Sequence, residues 1–337
     1  MGTKKDKLGD RMKQYEQAQR QFLTRRMPLI IRLDGKAFHS FTKGFQRPFD
    51  LIFLKAMHET AKYLCENVQG CKVAYHQSDE ITLLLNDWET LQSQSWFDKN
   101  LNKILSVSAS MATMAFNKAF SEIVNESYNS YTLEPAEGYE RKELPNGMTL
   151  KEFDKLYDTY FNRIGTAMFD SRAFLLPKEE VTNCLIWRQQ DASRNSVQML
   201  GQAHFSHKSL QGKSGSAVQE MLMLEKGINW NDLPTTLKRG ACIVKETFKH
   251  ENTTRTRWVV DEDIPIFTQD RSYIEKFLKT QAERIEEIFW DSEGKIIYTN
   301  ADSNDFKCKM TLEEFKDAVK GGGIMDDDGF GVMATAT

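Results

Sequence analysis

Pro28-Leu29-Ile30-Ile31-Arg32-Leu33-Asp34-Gly35-Lys36-Ala37-Phe38-His39 decides how the chain is read. Three consecutive aliphatics behind a proline describe a short strand buried on both faces. The run stops at Asp34-Gly35, a carboxylate at a strand tip followed by a residue that lets backbone approach a ligand closely. A second acidic tip follows in Val73-Ala74-Tyr75-His76-Gln77-Ser78-Asp79-Glu80-Ile81-Thr82-Leu83-Leu84-Leu85. Two apolar segments there flank a polar break, which predicts a β-hairpin with its acids at or near the turn. Between the two tips, Asp50 can cap a helix whose Leu54, Met57, Ala61, Leu64 and Cys65 recur at threes and fours. Strand, helix and hairpin with acids at both tips predict the front half of a polymerase-like palm.

Metal chemistry gives that arrangement a purpose. Two carboxylates held close together repel, so one protonates or a cation neutralises both. Oxygen ligands on rigid strand ends suit Mg²⁺, which takes a few carboxylates and keeps positions for phosphate oxygens. A pair of such ions can activate an attacking hydroxyl and stabilise the leaving oxygen of an in-line displacement. A plainer reading stays open on pattern alone: Asp34 starts a turn and Asp79 decorates a hairpin.

The wording of the motifs adds weight. Arg32-Leu33-Asp34-Gly35-Lys36-Ala37-Phe38-His39, then Phe45-Gln46-Arg47-Pro48-Phe49-Asp50, then Gln77-Ser78-Asp79-Glu80 resembles the tRNA-His guanylyltransferase family. Ser106-Val107-Ser108-Ala109-Ser110-Met111-Ala112, Phe169-Asp170-Ser171-Arg172, Trp187-Arg188-Gln189-Gln190-Asp191, Leu210-Gln211-Gly212 and Lys238-Arg239-Gly240 follow in the same order. The resemblance runs from about residue 8 to 248, around a long insertion at 121–168.

That resemblance implies an α/β (α+β) fold, a ferredoxin-like palm (βαββαβ) with added helices and a small C-terminal appendage. It implies a Mg²⁺-dependent nucleotidyltransferase that adds nucleotides 3′-to-5′ at the 5′ end of tRNA. The 3′-hydroxyl of an incoming nucleoside triphosphate attacks the α-phosphate of a 5′ end carried as a triphosphate or adenylylated from ATP. Carried over residue by residue, Asp34 and Asp79 are catalytic and hold two Mg²⁺ ions with the carbonyl of Gly35. Lys36, Ala37, Phe38, His39 and Ser78 line the nucleotide, GTP or ATP, with Ala37 replacing an asparagine common in the family. Arg47 and Lys103 meet triphosphate oxygens, and Glu80 stands behind the metal-binding acids. The implied partners are tRNA, nucleoside triphosphates and further copies of the chain, as a tetramer.

One departure narrows the expectation. Ser193-Arg194-Asn195 stands where eukaryotic members read His-Ile-Asn, whose histidine is associated with selecting tRNA-His. The surrounding Gln-Asp-Ala-Ser-Arg-Asn-Ser looks like the bacterial and phage-type branch. The expected activity is therefore templated repair of missing 5′ nucleotides on several tRNAs, with addition of a single G restricted to tRNA-His as the alternative. Two other classes compete: a palm-type cyclic nucleotide synthase, which usually carries a Gly-Gly-Asp-Glu-Phe-type hairpin, and a non-catalytic RNA-binding protein, against which the intact Asp34 and Asp79 weigh.

Composition describes a soluble globular protein. The 337 residues, 40% hydrophobic and 28% charged, hold no apolar run near the ~18 needed to span a bilayer. Met1 to Asp10 is lysine-rich without the apolar core of a secretory signal, which leaves cytoplasm as the default and no membrane partner. Five scattered cysteines without Cys-x-x-Cys, and a His204-x-x-His207 without a zincin glutamate, argue against disulfide and zinc frameworks. Residues 1–47 carry twelve Lys/Arg against four Asp/Glu, whereas 270–337 carry nine against fifteen. A basic stretch flanking the acidic tips suits a polyanion. Arg25 and Arg26, with Arg188 and Arg194 further along, are the candidate tRNA contacts. The competing reading is an amphipathic helix that buries Tyr15, Ala18, Phe22 and Leu23 and points its charges outward.

The remaining elements follow from periodicity and punctuation. Trp96 to Phe120 predicts one long helix with Lys99 and Lys103 on a shared face near its N-terminus. Met148 to Arg163 has its own helical pattern inside the insertion. Ser171 to Leu176 predicts a strand, Pro177 opens a helix through Trp187-Arg188, and Ser214 to Lys226 is a helix closed by Gly227. Ala241 to Phe248 and Arg255 to Val260 predict two more strands. The expected division is a catalytic domain at 1–268, an appendage at 269–320 and a flexible tail at 321–337. Within the appendage, Tyr273 to Phe289 reads as helix, Asp291 to Gly294 as a turn before a strand at Ile296 to Tyr298, and Thr311-Leu312-Glu313-Glu314 as the capped start of a short helix.

Overall fold

A computed structural model describes residues 7–132, 143–250, 253–280, 285–290, 295–300, 303–311, 324–325 and 331–332. Helix α1 (Lys7–Ala18) leads to strand β1 (Leu29–Gly35), a single turn α2 (Phe38–Phe41) and helix α3 (Leu51–Asn67). The hairpin β2 (Cys71–Gln77) and β3 (Glu80–Leu85) precedes α4 (Leu101–Thr132), α5 (Leu150–Phe161) and β4 (Phe169–Leu175). Then come α6 (Lys178–His204), α7 (His207–Leu210), α8 (Gly215–Lys226), α9 (Thr235–Arg239), β5 (Ala241–His250) and β6 (Thr253–Asp261).

The six strands form one antiparallel sheet in the order β4-β1-β3-β2-β5-β6. Its first four strands, with α3 and α4 as crossovers, are the βαββαβ palm, and the β5–β6 hairpin widens it beside β2. β1 sits between β3 and β4 and is buried on both sides, as a continuous aliphatic run requires. Alternation divides it: Leu29, Ile31 and Leu33 join one core with Met57, Ala61, Leu64, Phe116 and Phe120, while Ile30 joins a second with Val181, Leu185, Ile264 and Phe267. Each fully buried aliphatic contributes about 2 kcal/mol relative to exposure.

Local signals explain the element starts. The Asp50 carboxylate accepts from Phe53 N at 2.8 Å and caps α3. Thr149 and Glu152 form a reciprocal capping box on α5, whose Phe153, Leu156, Tyr157 and Tyr160 enter the first core. The inserted helix is thus part of the palm's packing. Ser214 caps α8, and Gly227 closes it in the left-handed region. Gly240 has φ 82°, and a Cβ there would lie 2.4 Å from the His76 carbonyl, so only glycine lets this chain pass β2.

Several expectations are corrected. α1 ends at Ala18 and buries no residue; Tyr15 and Phe22 are exposed and only Leu23 packs on the core, so no amphipathic face forms there. The long helix does not begin at Trp96. Phe97, Asp98 and Lys99 have positive φ, because Lys99 turns inward to donate to Met27 O at 2.9 Å and pair with Asp87 at 3.6 Å. α4 therefore starts at Leu101, and Lys99 does not share a face with Lys103. Beyond the palm, helix among the described residues is confined to α10 (Ser272–Glu275) and a 3₁₀ turn at Lys276–Leu278. Ile285–Trp290 is strand β7, paired with β8 (Lys295–Asn300), which pairs in turn with β9 (Ser303–Thr311). Strand pairing across the β-branched and aromatic run overrides the helical period. The strand expected at Ile296 to Tyr298 lies in β8, and Thr311 is the last residue of β9. The turn at 291–294 and the helix after Thr311 fall outside the described residues, as does most of 321–337, where Ile324–Met325 pairs with Gly331–Val332.

Candidate active site

The acids meet where the palm strands end. In register, Asp34 of β1 faces Glu80 of β3 on one side and Asp170 of β4 on the other. Opposed residues of an antiparallel pair share a face, so the three carboxylates stand abreast. Asp79 occupies the two-residue β2–β3 turn beside Ser78, whose φ is 51°. The two tips are tied directly: Gly35 N–H donates to the Asp79 carbonyl at 3.1 Å. His76 holds the turn from below, its Nε2 contacting Ser78 O at 2.9 Å. Burial holds that imidazole down at about 3, so it is neutral and Nε2–H is the donor.

Electrostatics separates the acids into roles. Burial first, and the Asp34 charge second, push the Asp79 carboxyl up to about 6. The second of these causes is the repulsion of two carboxylates held close together. Glu80 differs. Its carboxylate accepts from Arg188 Nε at 2.7 Å and has Arg32 Nε at 3.9 Å; burial raises it and the two guanidiniums oppose the rise. The Glu80 charge is thus met by two guanidiniums, whereas Asp79 faces the like charge of Asp34. Asp170 is exposed and lies 3.7 Å from Arg172. Among the described residues, no group of three or more His, Cys, Asp and Glu gathers as a metal cage. Two carboxylates and the Gly35 carbonyl form a sparse all-oxygen set, which fits Mg²⁺ because that ion keeps much of its coordination for water and phosphate.

The loop after β1 carries the proposed nucleotide contacts. Lys36 N–H donates to Met168 O at 2.9 Å, and its side chain is exposed. Ala37 adopts φ 56°, a conformation asparagine tolerates better than alanine. Phe38 is turned away: it is 3% exposed and packs against Phe41, Phe53, Phe116 and Phe169. Only its backbone can line a ligand. This packing also explains Gly35, since a Cβ there would lie 2.3 Å from the Phe38 ring. His39 is exposed, with Nε2 3.0 Å from Ser40 Oγ. Arg47 is exposed too, in a segment anchored by Asp50, which accepts from Gln46 N at 3.0 Å and from Tyr160 Oη at 2.6 Å. Lys103 is exposed with Nζ 5.9 Å from the Phe97 ring centre.

The four arginines proposed for tRNA divide sharply. Arg188 is 6% exposed and bridges Glu80 and Asp191, so its side chain is an internal strut, unsuited to touching RNA. Arg194 is exposed and paired with Asp191. Arg25 is exposed and paired with Asp98, next to the Phe97 that Lys103 covers. Arg26 is exposed, with its N–H held by Asp87 at 3.1 Å. No local pattern signals that Gln189 clamps the segment after β6, donating to Pro265 O at 2.8 Å and accepting from Phe267 N at 2.9 Å. Nor does one single out Trp187, which is 52% exposed with the Arg188 guanidinium 4.3 Å and the Arg32 guanidinium 5.6 Å from its ring.

Comparison with known proteins places these features in a family. The family model described as tRNAHis guanylyltransferase matches residues 9–177. A solved bacterial tRNA(His) guanylyltransferase-like protein in complex with ATP superposes with TM-score 0.64 at 46% identity, covering 81% of this chain and 99% of that one. The tRNA(His) guanylyltransferase of Schizosaccharomyces pombe is 26% identical over 71% of this chain and 81% of its own length. The crystal structure of the Saccharomyces cerevisiae enzyme, at 21% identity and TM-score 0.52 over 77% of this chain and 98% of that one, shares the fold.

Proposed function

The chain belongs to the tRNA-His guanylyltransferase family of nucleotidyltransferases, and from that membership we propose that it adds nucleotides, directed by a template, to the 5′ end of tRNA. The observation that carries the reading is the pair Asp34 and Asp79, on strand tips joined by the Gly35–Asp79 hydrogen bond, with the Asp79 carboxyl pushed up to about 6 by burial and by the Asp34 charge. These two carboxylates and the Gly35 carbonyl would hold Mg²⁺. Bound there, the ions would lower the cost of deprotonating a hydroxyl nucleophile and of negative charge on the leaving phosphate oxygens.

The chain's own groups supply the rest. Lys36, His39 and Ser78, with the backbone of Ala37 and Phe38, would position a nucleoside triphosphate beside the acids. Arg47 and Lys103 are exposed cations able to neutralise triphosphate oxygens. Bound ATP and GTP in solved bacterial relatives support a nucleotide at this palm. Neutral His76 keeps the Ser78–Asp79 turn in place, and Glu80, satisfied by Arg188, leaves the cation to Asp34 and Asp79. The 3′-hydroxyl of the incoming nucleotide would attack the activated 5′ phosphate, and pyrophosphate or AMP would leave.

Repair, with several tRNAs as substrates, is favoured by Ser193-Arg194-Asn195. Discrimination of one tRNA needs buried polar groups that a wrong substrate leaves unpaired. Arg194 is exposed and tied to Asp191, and Asn195 lies beside it at 3.4 Å from the same carboxylate. The test is incubation with 5′-truncated tRNAs, labelled nucleoside triphosphates and Mg²⁺. Products lengthened at the 5′ end support the reading; cyclic nucleotides, or tRNA binding without turnover, would replace it with one of the competing classes.

A further inference from the structure

The turn α2 meets the α5–β4 connection, at the end of the insertion, in a cavity of about 420 Å³. Lys36, Ser40 and Lys43 line it from the first palm loop, and Arg163 and Thr166 from the α5–β4 connection. No carboxylate lines it, and among the described residues none of its three cations has an acidic partner. Arg163 spends one terminal nitrogen on Ser40 O at 3.2 Å, while its Nε is buried with no hydrogen-bond partner.

The connection is fixed on both sides. Ala167 N–H donates to Asn117 Oδ1 at 3.1 Å, and Asn117 Nδ2 donates back to Ala167 O at 2.9 Å, binding it to α4. Lys36 N–H donates to Met168 O, binding it to the loop two residues beyond Asp34. Thr166 is turned back onto Arg163 O by its N–H at 3.1 Å and its hydroxyl at 2.8 Å. Three uncompensated cations are therefore held around one cavity by backbone that is already ordered. Unpaired like charges at close quarters repel, and an anion relieves that repulsion.

We propose that this cavity is a phosphodiester-binding site for the RNA substrate, assembled from the palm loop and the insertion. It rests on the reading that tRNA is the substrate, and it assigns the insertion a share in holding it. A nucleoside triphosphate brings a divalent cation that wants carboxylate oxygen, and the cavity has none. A phosphodiester carries one charge and needs only cationic donors such as Lys43 and Arg163. Lys36, between this cavity and the acids, places the contact next to the 5′ end being extended.

Lys43→Ala, Arg163→Gln and the double variant test it, with affinity for tRNA measured across a salt series and affinity for Mg²⁺-GTP and Mg²⁺-ATP measured separately. Each single change is expected to weaken tRNA binding about 3- to 10-fold and to lower the slope of log affinity against log salt by about one. Nucleotide affinities should stay within about twofold of the parent, since neither residue is placed at the nucleotide. Lys43 is exposed, and among the described residues no hydrogen bond or ion pair holds its side chain, so Lys43→Ala answers even if Arg163→Gln disturbs the loop. An unchanged salt slope in the folded Lys43→Ala and double variants overturns the site. Lost nucleotide affinity with tRNA binding intact overturns it in favour of a triphosphate tail. A parent protein that binds no tRNA overturns the substrate reading itself, which is a different failure.

Discussion

Asp79→Asn should stabilise the metal-free protein, and the gain should depend on pH. Burial and the Asp34 charge move the Asp79 carboxyl from its usual 3.8 to about 6. A rise of that size costs the ionised folded state about 3 kcal/mol. The sign follows from proton binding: between pH ~4 and ~6 the folded chain holds a proton that the unfolded chain has released, so stability falls as pH rises through that window. Below it the penalty is absent; above it the penalty is complete. Asparagine keeps the size and removes the charge, at the loss of what the carboxylate accepts from its turn. The expected gain in urea denaturation with EDTA is therefore about 1–3 kcal/mol at pH 7, shrinking toward zero near pH 4. Mg²⁺ should reverse the order. An ion at ~100 times its Kd stabilises the parent by about 2.7 kcal/mol, and the variant has lost half the site. A variant less stable than the parent in EDTA, or a gain equal at both pH values, would refute the argument.

Three further outcomes follow from the same geometry. Arg188→Met should cost about 3–5 kcal/mol in denaturation, because it leaves Glu80 buried without its partner, and it should not flatten the salt dependence of tRNA binding. Arg25→Ala with Arg26→Ala should barely change stability, since the Arg25–Asp98 pair is exposed, yet should lower the tRNA salt slope by about one per lost phosphate contact; an unaltered slope would leave these arginines a purely intramolecular role. Ala37→Gly should stabilise by about 0.5–1 kcal/mol, read from thermal melting, because the position sits at φ 56°; a destabilised variant would mean the left-handed turn carries no strain.

The palm was legible because its signals are local. The aliphatic run of β1, the Asp50 cap, the polar break of the β2–β3 hairpin and the helical period within 148–163 each act within a few residues, and each appears where it was expected. Residues that answer to distant partners were misjudged. Lys99 looked like a helix-face cation, but Met27 O and Asp87 pull it inward and force left-handed backbone that no periodicity reveals. Arg188 looked like an RNA contact, yet its partner Glu80 lies 108 positions away. Ile285 to Trp290 satisfies a helical period but pairs with β8. The acids proposed for the site, Asp34 and Asp79, come from pattern and family wording together. That Arg188 satisfies the neighbouring Glu80 is a matter of side-chain packing, which spacing does not encode.

The central claim, that this palm extends tRNA 5′ ends by template, is tested most directly with matched tRNAs lacking their first nucleotide and differing only in the base that faces the gap. Each is incubated with all four nucleoside triphosphates and Mg²⁺, and the added nucleotide is identified. The account predicts that the added nucleotide changes with the facing base and always complements it, including C or U where the template asks for them. Addition of G whatever the facing base, or no extension of any truncated tRNA, would contradict it.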